Sequence, residues 1–402
     1  MKRLQPLLLA AGLSAAVGLG CQTASSDPAS RATIGGRVAG ALSPATAEDA
    51  ADEVVRGARV VDLRALPNLS KVIPKIATKR LVFIGENHER FEHHLVQLEI
   101  ISRLYEQNPS LAIGMEFFQV PFQTELDEYV AGRSDDETLL EGTEYFDRWG
   151  FDFRLYQPIL RFAQKHRISV VALNAPKELV EKVSNDGIKG LAPADRARLP
   201  AHSIPANARY RERLRSIFEL HSAVELKDFE RFVEVQLLWD ESMAETAARY
   251  LLANPDRFLV VLAGNGHLAF RWGIPERVQR RVPVDSAVVL NGTDIGIEPG
   301  IADYVVLPEE RVLPAPGRME VLLDGGADAV RIKSLDAGGA AAAAGMKAGD
   351  ALVEVGGRSI RGLADIKIAL WDRRPGERVS VRVRRSGKLF GQEDHAFEVE
   401  LR

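Results

Sequence analysis

Arg80-Leu81-Val82-Phe83-Ile84-Gly85-Glu86-Asn87-His88 and Phe258-Leu259-Val260-Val261-Leu262-Ala263-Gly264-Asn265-Gly266-His267 follow one pattern, a short apolar run that ends in Gly-x-x-His. Both runs are rich in β-branched residues and too short for core helices, so each reads as a strand buried on both faces. Continuous apolar runs of this kind belong to parallel sheets, and the larger part of the chain is therefore expected to be α/β, with a mainly parallel sheet flanked by helices. In an open sheet of that type ligands bind outside the carboxyl ends of the strands. His88 and His267, far apart in sequence, then face one pocket.

Two further runs fit the scheme. Ser110-Leu111-Ala112-Ile113-Gly114-Met115 delivers Glu116, and Ile168-Ser169-Val170-Val171-Ala172-Leu173 delivers Asn174. A single Gly or Asn after a strand is explained by turn and capping chemistry. Two histidines and a carboxylate at corresponding strand ends point instead to a shared polar site.

The helices are placed by apolar spacing. Residues 91–105 put His94, Leu98, Ile101 and Tyr105 on one face, which turns His94 inward and His93 toward solvent. Residues 228–252 form a second helix, with Gln236 and Asp240 one turn apart beside an apolar surface that carries Trp239 and Met243. An aspartate there needs a partner or a metal. Between them, Tyr145-Phe146-Asp147-Arg148-Trp149-Gly150-Phe151-Asp152 and Leu155-Tyr156-Gln157-Pro158 supply aromatic rings suited to a pocket wall or a lid. Residues 178–227, charged and broken by prolines, read as an insertion over the pocket mouth, from which Tyr210 or His221 reaches inward.

Lys2 and Arg3 precede a weakly apolar stretch, residues 7–20, that ends at Cys21, the only cysteine in the chain. This is the layout of an export signal, and Val17-Gly18-Leu19-Gly20-Cys21 resembles a bacterial lipobox, with Gly18 where leucine is usual. Residues 1–21 are expected to direct export, Cys21 to carry lipid, and residues 22–55, rich in Ala, Ser, Gly and Pro, to form a tether. The expected location is the bacterial cell envelope, lipid-anchored to a membrane. With a net charge of −4 and mixed acids and bases, the chain has no nucleic-acid footprint. At 402 residues it exceeds one compact core, and the proline-rich stretch 307–317 divides it.

The blocks Gly85-Glu86-Asn87-His88, then His94 and Gln97, Gly114-Met115-Glu116, Tyr156-Gln157-Pro158-Ile159-Leu160, Leu173-Asn174-Ala175-Pro176, Gln236-Leu237-Leu238-Trp239-Asp240, Ala263-Gly264-Asn265-Gly266-His267 and Gly273-Ile274-Pro275 together resemble ChaN-type haem-binding lipoproteins. The resemblance runs in order through residues 81–275 and is expected to mark a domain over 56–310. That family belongs with the Tiki metalloproteases and erythromycin-esterase-like proteins, so the resemblance implies haem or iron uptake and leaves a hydrolase open. For haem, residue type makes Tyr156, Tyr210, His202 and His221 axial-ligand candidates, with His88, Glu116, Asn174, Gln236 and His267 around the cofactor. For hydrolysis, His88, Glu116 and His267 would hold a divalent metal ion, with Glu86 or Asp240 as general base.

Residues 317–402 alternate short strand patterns with Gly-rich turns. Gly338-Gly339, the alanines that follow and Ala344-Gly345-Met346-Lys347-Ala348-Gly349-Asp350 resemble a bacterial PDZ domain, small and β-rich. The resemblance implies capture of the C-terminal peptide of an envelope protein by β-addition, its carboxylate held by the loop Gly317-Arg318-Met319-Glu320, so that Arg318, Met319 and Glu320 are the expected contacts.

Overall fold

A computed structural model describes residues 64–220, 228–292, 296–326, 328–386 and 391–402. The export segment, Cys21, the tether and His221 lie outside the described residues.

The first domain is built on a sheet of six strands, all parallel, in the order β3-β2-β4-β1-β5-β6. Its strands are β1 (Leu81–Glu86), β2 (Leu111–Gln119), β3 (Ser169–Asn174), β4 (Phe258–Gly264), β5 (Ser286–Asn291) and β6 (Tyr304–Val306). The two Gly-x-x-His strands, β1 and β4, are neighbours in register, Gly85 beside Ala263 and Glu86 beside Gly264. Every residue of both is buried, as the unbroken apolar runs require. One face packs on the helices Leu69–Ile76, Phe91–Gln107 and Gln157–His166, the other on Phe229–Ala253 and Ile274–Arg281. Each fully buried Phe, Leu or Val in these layers contributes roughly 1.5–3 kcal/mol of burial free energy. The layers fix the strand ends relative to one another.

The second domain is an antiparallel sheet, β12-β11-β9-β8-β7, with β10 paired to β9. Its strands are β7 (Val321–Gly325), β8 (Val330–Leu335), β9 (Ala351–Val355), β10 (Arg358–Ser359), β11 (Arg378–Ser386) and β12 (Gln392–Glu400). Helix Leu363–Leu370 closes over a small core of Met319, Ile332, Val355, Ile366 and Val381. β7 stands at the edge of its sheet.

The second domain docks on the first. Arg358 pairs with Glu137 and Glu141, and Arg361 with Glu141, on the helix Asp136–Gly142. Ile368 is buried within the core of the first domain, and Trp371 packs against that core. No helix of the described residues is long and apolar enough to cross a membrane.

Candidate functional site

The carboxyl ends of β1, β2 and β4 bring Glu86, His88, Glu116 and His267 together, all buried. Glu86 ends β1 between two imidazoles, paired with His88 Nδ1 and 3.4 Å from His94 Nε2. Burial opposes its charge, but His88 and His94 outweigh burial and hold its carboxyl below the usual range. Burial also opposes protonation of His88, and Glu86 outweighs it, so the His88 pKa is raised. His94, without so close a carboxylate, keeps the direction that burial dictates and its pKa is lowered. Its ring lies against Tyr156, with centroids 4.6 Å apart, and meets Gln97 Oε1 at 3.2 Å.

The glycines of the two motifs are explained by each other's side chains. A β-carbon at Gly85 would stand 2.3 Å from Asn265 Oδ1, and one at Gly264 would stand 3.3 Å from His88 Cε1. Asn265 Nδ2 donates to the Asn291 carbonyl at 2.7 Å, and Asn291 Nδ2 donates to the Gly85 carbonyl at 2.8 Å. The two loops therefore interlock through the gaps their glycines leave.

Glu116 sits within β2, beyond the point where pairing with β3 is interrupted. Its Oε2 accepts from the Gly264 N–H at 2.7 Å, and its Oε1 lies 3.4 Å from His267 Nε2. Asn174, at the end of β3, donates to the Glu116 carbonyl at 3.1 Å and so steadies the backbone that carries it. On the other side of His267, Nδ1 meets Asp240 Oδ1 at 2.7 Å, and Tyr210 donates its hydroxyl to Asp240 Oδ2 at 2.6 Å. Burial opposes a charged imidazole at His267, but Glu116 and Asp240 outweigh it and raise its pKa to about 9. Asp240 is fully buried with both oxygens engaged, which makes it an orienting group for His267.

Glu86, His88 and Glu116 offer ligand atoms that all lie within 4.8 Å of one another, a spacing able to hold a metal ion. His267 touches this group through Glu116. Gln236, one turn before Asp240, is buried, and its Nε2 has no hydrogen-bond partner. Trp149 and Phe151 wall His88, with ring centroids 4.7 and 4.9 Å from its own.

Among the tyrosines expected as haem ligands, Tyr156 is fully buried with its hydroxyl 3.4 Å from the His88 carbonyl, and Tyr210 is occupied by Asp240. Burial, then Glu86 for Tyr156 and Asp240 for Tyr210, pushes both phenols well above the usual tyrosine value. His202 is exposed, on the segment before the helix Ala208–Leu220. His93, expected in solvent, is instead buried, and its Nδ1 accepts from the Asn87 N–H at 3.0 Å. Helical spacing could not reveal this, because the partner lies on the loop that follows β1.

A family model described as haem-binding uptake, Tiki superfamily, ChaN matches residues 72–278, about half of the chain. The chain belongs to this ChaN family. A PDZ model matches residues 294–401, a range whose first strand, β6, pairs with the parallel sheet of the ChaN domain. Among solved structures, the ChaN domain is similar to ChaN of Campylobacter jejuni, described as binding haem cofacially. That likeness has a TM-score of 0.50 at 17% identity and covers 60% of this chain and 92% of that one. An erythromycin esterase mutant in its open conformation has a TM-score of 0.36 at 15% identity, covering 59% of this chain and 75% of that one. The chain is also 23% identical over 241 residues to the chloroplastic protein RETICULATA-RELATED 5 of Arabidopsis thaliana, covering 55% of this chain and 32% of that protein. It thus spans about a third of that relative's length.

Proposed function

We propose that this chain is an envelope lipoprotein that binds haem, for uptake or storage of iron, and takes His88 as the iron ligand. The observation that carries the reading is the setting of His88. Its Nδ1 is held by Glu86, its ring is walled by Trp149 and Phe151, and its Nε2 lies beside Gly264. A carboxylate on one ring nitrogen fixes the tautomer and makes the other nitrogen a stronger ligand, and aromatic walls suit a flat apolar macrocycle. The unpartnered Nε2 of buried Gln236 is a donor that a ligand carboxylate would satisfy. Membership of the ChaN family supports the same reading. Titrating the purified mature protein with haemin tests it. A Soret shift that saturates at stoichiometric haemin, and that is lost in a folded His88→Ala variant, is expected. Unchanged haemin absorption in the presence of wild-type protein would overturn the reading.

A divalent-metal hydrolase is the second reading, favoured by one observation, the clustering of Glu86, His88 and Glu116. An O, N, O set suits a borderline divalent ion, which when bound would polarise a substrate carbonyl or acidify a water. In that case Glu86, His88 and Glu116 would hold the ion, and Asp240 and Tyr210 orient His267 beside it. Stoichiometric zinc or manganese in the haem-free protein, with no haemin affinity, would select this reading.

Cys21 is proposed to carry the lipid anchor in the bacterial envelope, and the PDZ domain to capture the C-terminal peptide of another envelope protein. Anchoring both partners in one membrane would raise their effective concentration.

A further inference from the structure

Helix Leu363–Leu370 of the PDZ domain has two neighbours. On one side Leu363 lies against β7, close enough that a β-carbon on Gly325 would stand 3.1 Å from its Cδ1. On the other side Ile368 is buried in the core of the ChaN domain, Lys367 stands over the Phe146 ring at 5.6 Å, and Trp371 meets the Phe153 ring edge-on with centroids 5.3 Å apart. Phe153 is fully buried, and Phe151, two residues earlier, packs on His88. The same segment is tied from behind a second time, where Arg154 Nη1 donates to the Pro314 carbonyl at 2.9 Å.

We infer that the PDZ domain is a positioning part of the ChaN pocket, because its Trp371 pins Phe153 and thereby holds Phe151 and Trp149 against His88. A five-residue segment with aromatic anchors at Trp149, Phe151 and Phe153 has one face on the imidazole and the other on the second domain. It carries one glycine, Gly150, at φ +84°, so the backbone between Trp149 and Phe151 has no side-chain bulk to stiffen it. Its position over His88 is therefore set by what it packs against: Phe117 against Trp149, and Tyr145 together with the PDZ Trp371 against Phe153. Packed side chains transmit strain, so loosening the helix is expected to relax the wall.

The proposal rests on His88 being the ligating imidazole of the pocket, but its test reads the wall directly. Ring currents from Trp149 and Phe151 displace the His88 ring-proton resonances, which selective histidine labelling of the full chain reports without any ligand. In Trp371→Ala these resonances are expected to move toward those of a solvated imidazole, and haemin affinity to fall about tenfold, about 1.4 kcal/mol. Trp371→Phe is expected to restore most of both. Arg358→Glu, which breaks the pairs to Glu137 and Glu141 and the longer one to Asp365 of its own domain, is expected to move the resonances in the same direction by less. It keeps the test available if Trp371→Ala fails to fold. His88 resonances that stay at their wild-type positions in a folded Trp371→Ala or in Arg358→Glu would overturn the proposal. A shift of those resonances in a protein that binds no haemin would leave the wall assignment standing and count against the haem reading alone.

Discussion

His88 rests against Gly264, where a β-carbon would come within 3.3 Å of its Cε1 and 3.5 Å of its Nε2. The second motif's glycine thus makes room for the first motif's histidine. Gly264 has φ −56°, so alanine there meets no backbone strain, and the effect of the substitution is contact alone. Gly264→Ala is expected to displace the imidazole, lower haemin or metal affinity about tenfold or more, and cost about 1–3 kcal/mol of stability. Ligand titration beside thermal unfolding separates the two effects.

Gly85→Ala is expected to be the more damaging change. Its β-carbon would overlap Asn265 Oδ1 at 2.3 Å and Leu290 Cδ2 at 2.7 Å, both in the packed centre of the sheet. The loss of stability should exceed that of Gly264→Ala in the same denaturant series, and Asn265→Ala should recover part of it by removing the amide that the new methyl meets.

The strands were legible because burial on both faces leaves nothing but apolar residues, and β1 and β4 begin and end within a residue or two of the runs that announce them. The strand-end rule brings His88, Glu116 and His267 to one end of the sheet, but the ligand atoms that cluster are those of Glu86, His88 and Glu116, with His267 beside Glu116. What sequence could not supply was pairing among side chains. Asp240 reaches His267 across the fold, Tyr210 comes in from the inserted helix to complete that line, and Glu86 lies between His88 and His94 rather than free in the pocket. Docking of the PDZ helix was equally hidden, because apolar residues such as Ile368 and Trp371 carry no mark of which domain's core they join.

His267 sets a pH dependence. Its folded pKa of about 9 lies above the unfolded value near 6.5, so its charged form stabilises the ligand-free fold. That stabilisation, on the order of 3 kcal/mol, is fully present below about pH 6.5 and is lost as pH rises through 9. Asp240→Asn removes one of the two carboxylates responsible and is expected to lower the His267 pKa and to flatten the stability profile between those values. Histidine resonances followed against pH, together with denaturant midpoints, measure both. A wild-type His267 that titrates near 6.5 would show that the carboxylates do not hold it charged.

Cys21 lies outside the described residues, and its role is tested by fractionation. Cys21→Ser is expected to release the mature protein from the membrane fraction or to leave its precursor uncut, and the wild-type protein is expected to carry acyl mass at that cysteine. Two or more acyl chains are needed for stable anchoring, so reversible partial release of the wild-type protein on dilution of the membranes would argue for a single chain.

The PDZ groove offers the last test. β7 is the edge of its sheet, with Leu322 and Leu363 exposed at 54% and 36%, an arrangement that leaves backbone groups and an apolar strip for an added strand. The loop before β7 departs from a plain amide cradle. Glu320 stands at φ +56°, a left-handed conformation, and its Oε2 accepts from the Ala340 N–H at 2.9 Å. An acidic side chain beside the expected carboxylate position disfavours a free C-terminus by like-charge repulsion, while Arg318, exposed two residues earlier, favours it. Glu320→Gly relieves the backbone strain and removes the charge, and is expected to tighten binding of a peptide with an apolar last residue several-fold, as read by fluorescence anisotropy. Leu363→Asp should abolish that binding by placing a charge on the apolar strip. If Glu320→Gly weakens the peptide instead, the carboxylate of Glu320 is holding the loop open through its bond to Ala340 rather than opposing the ligand.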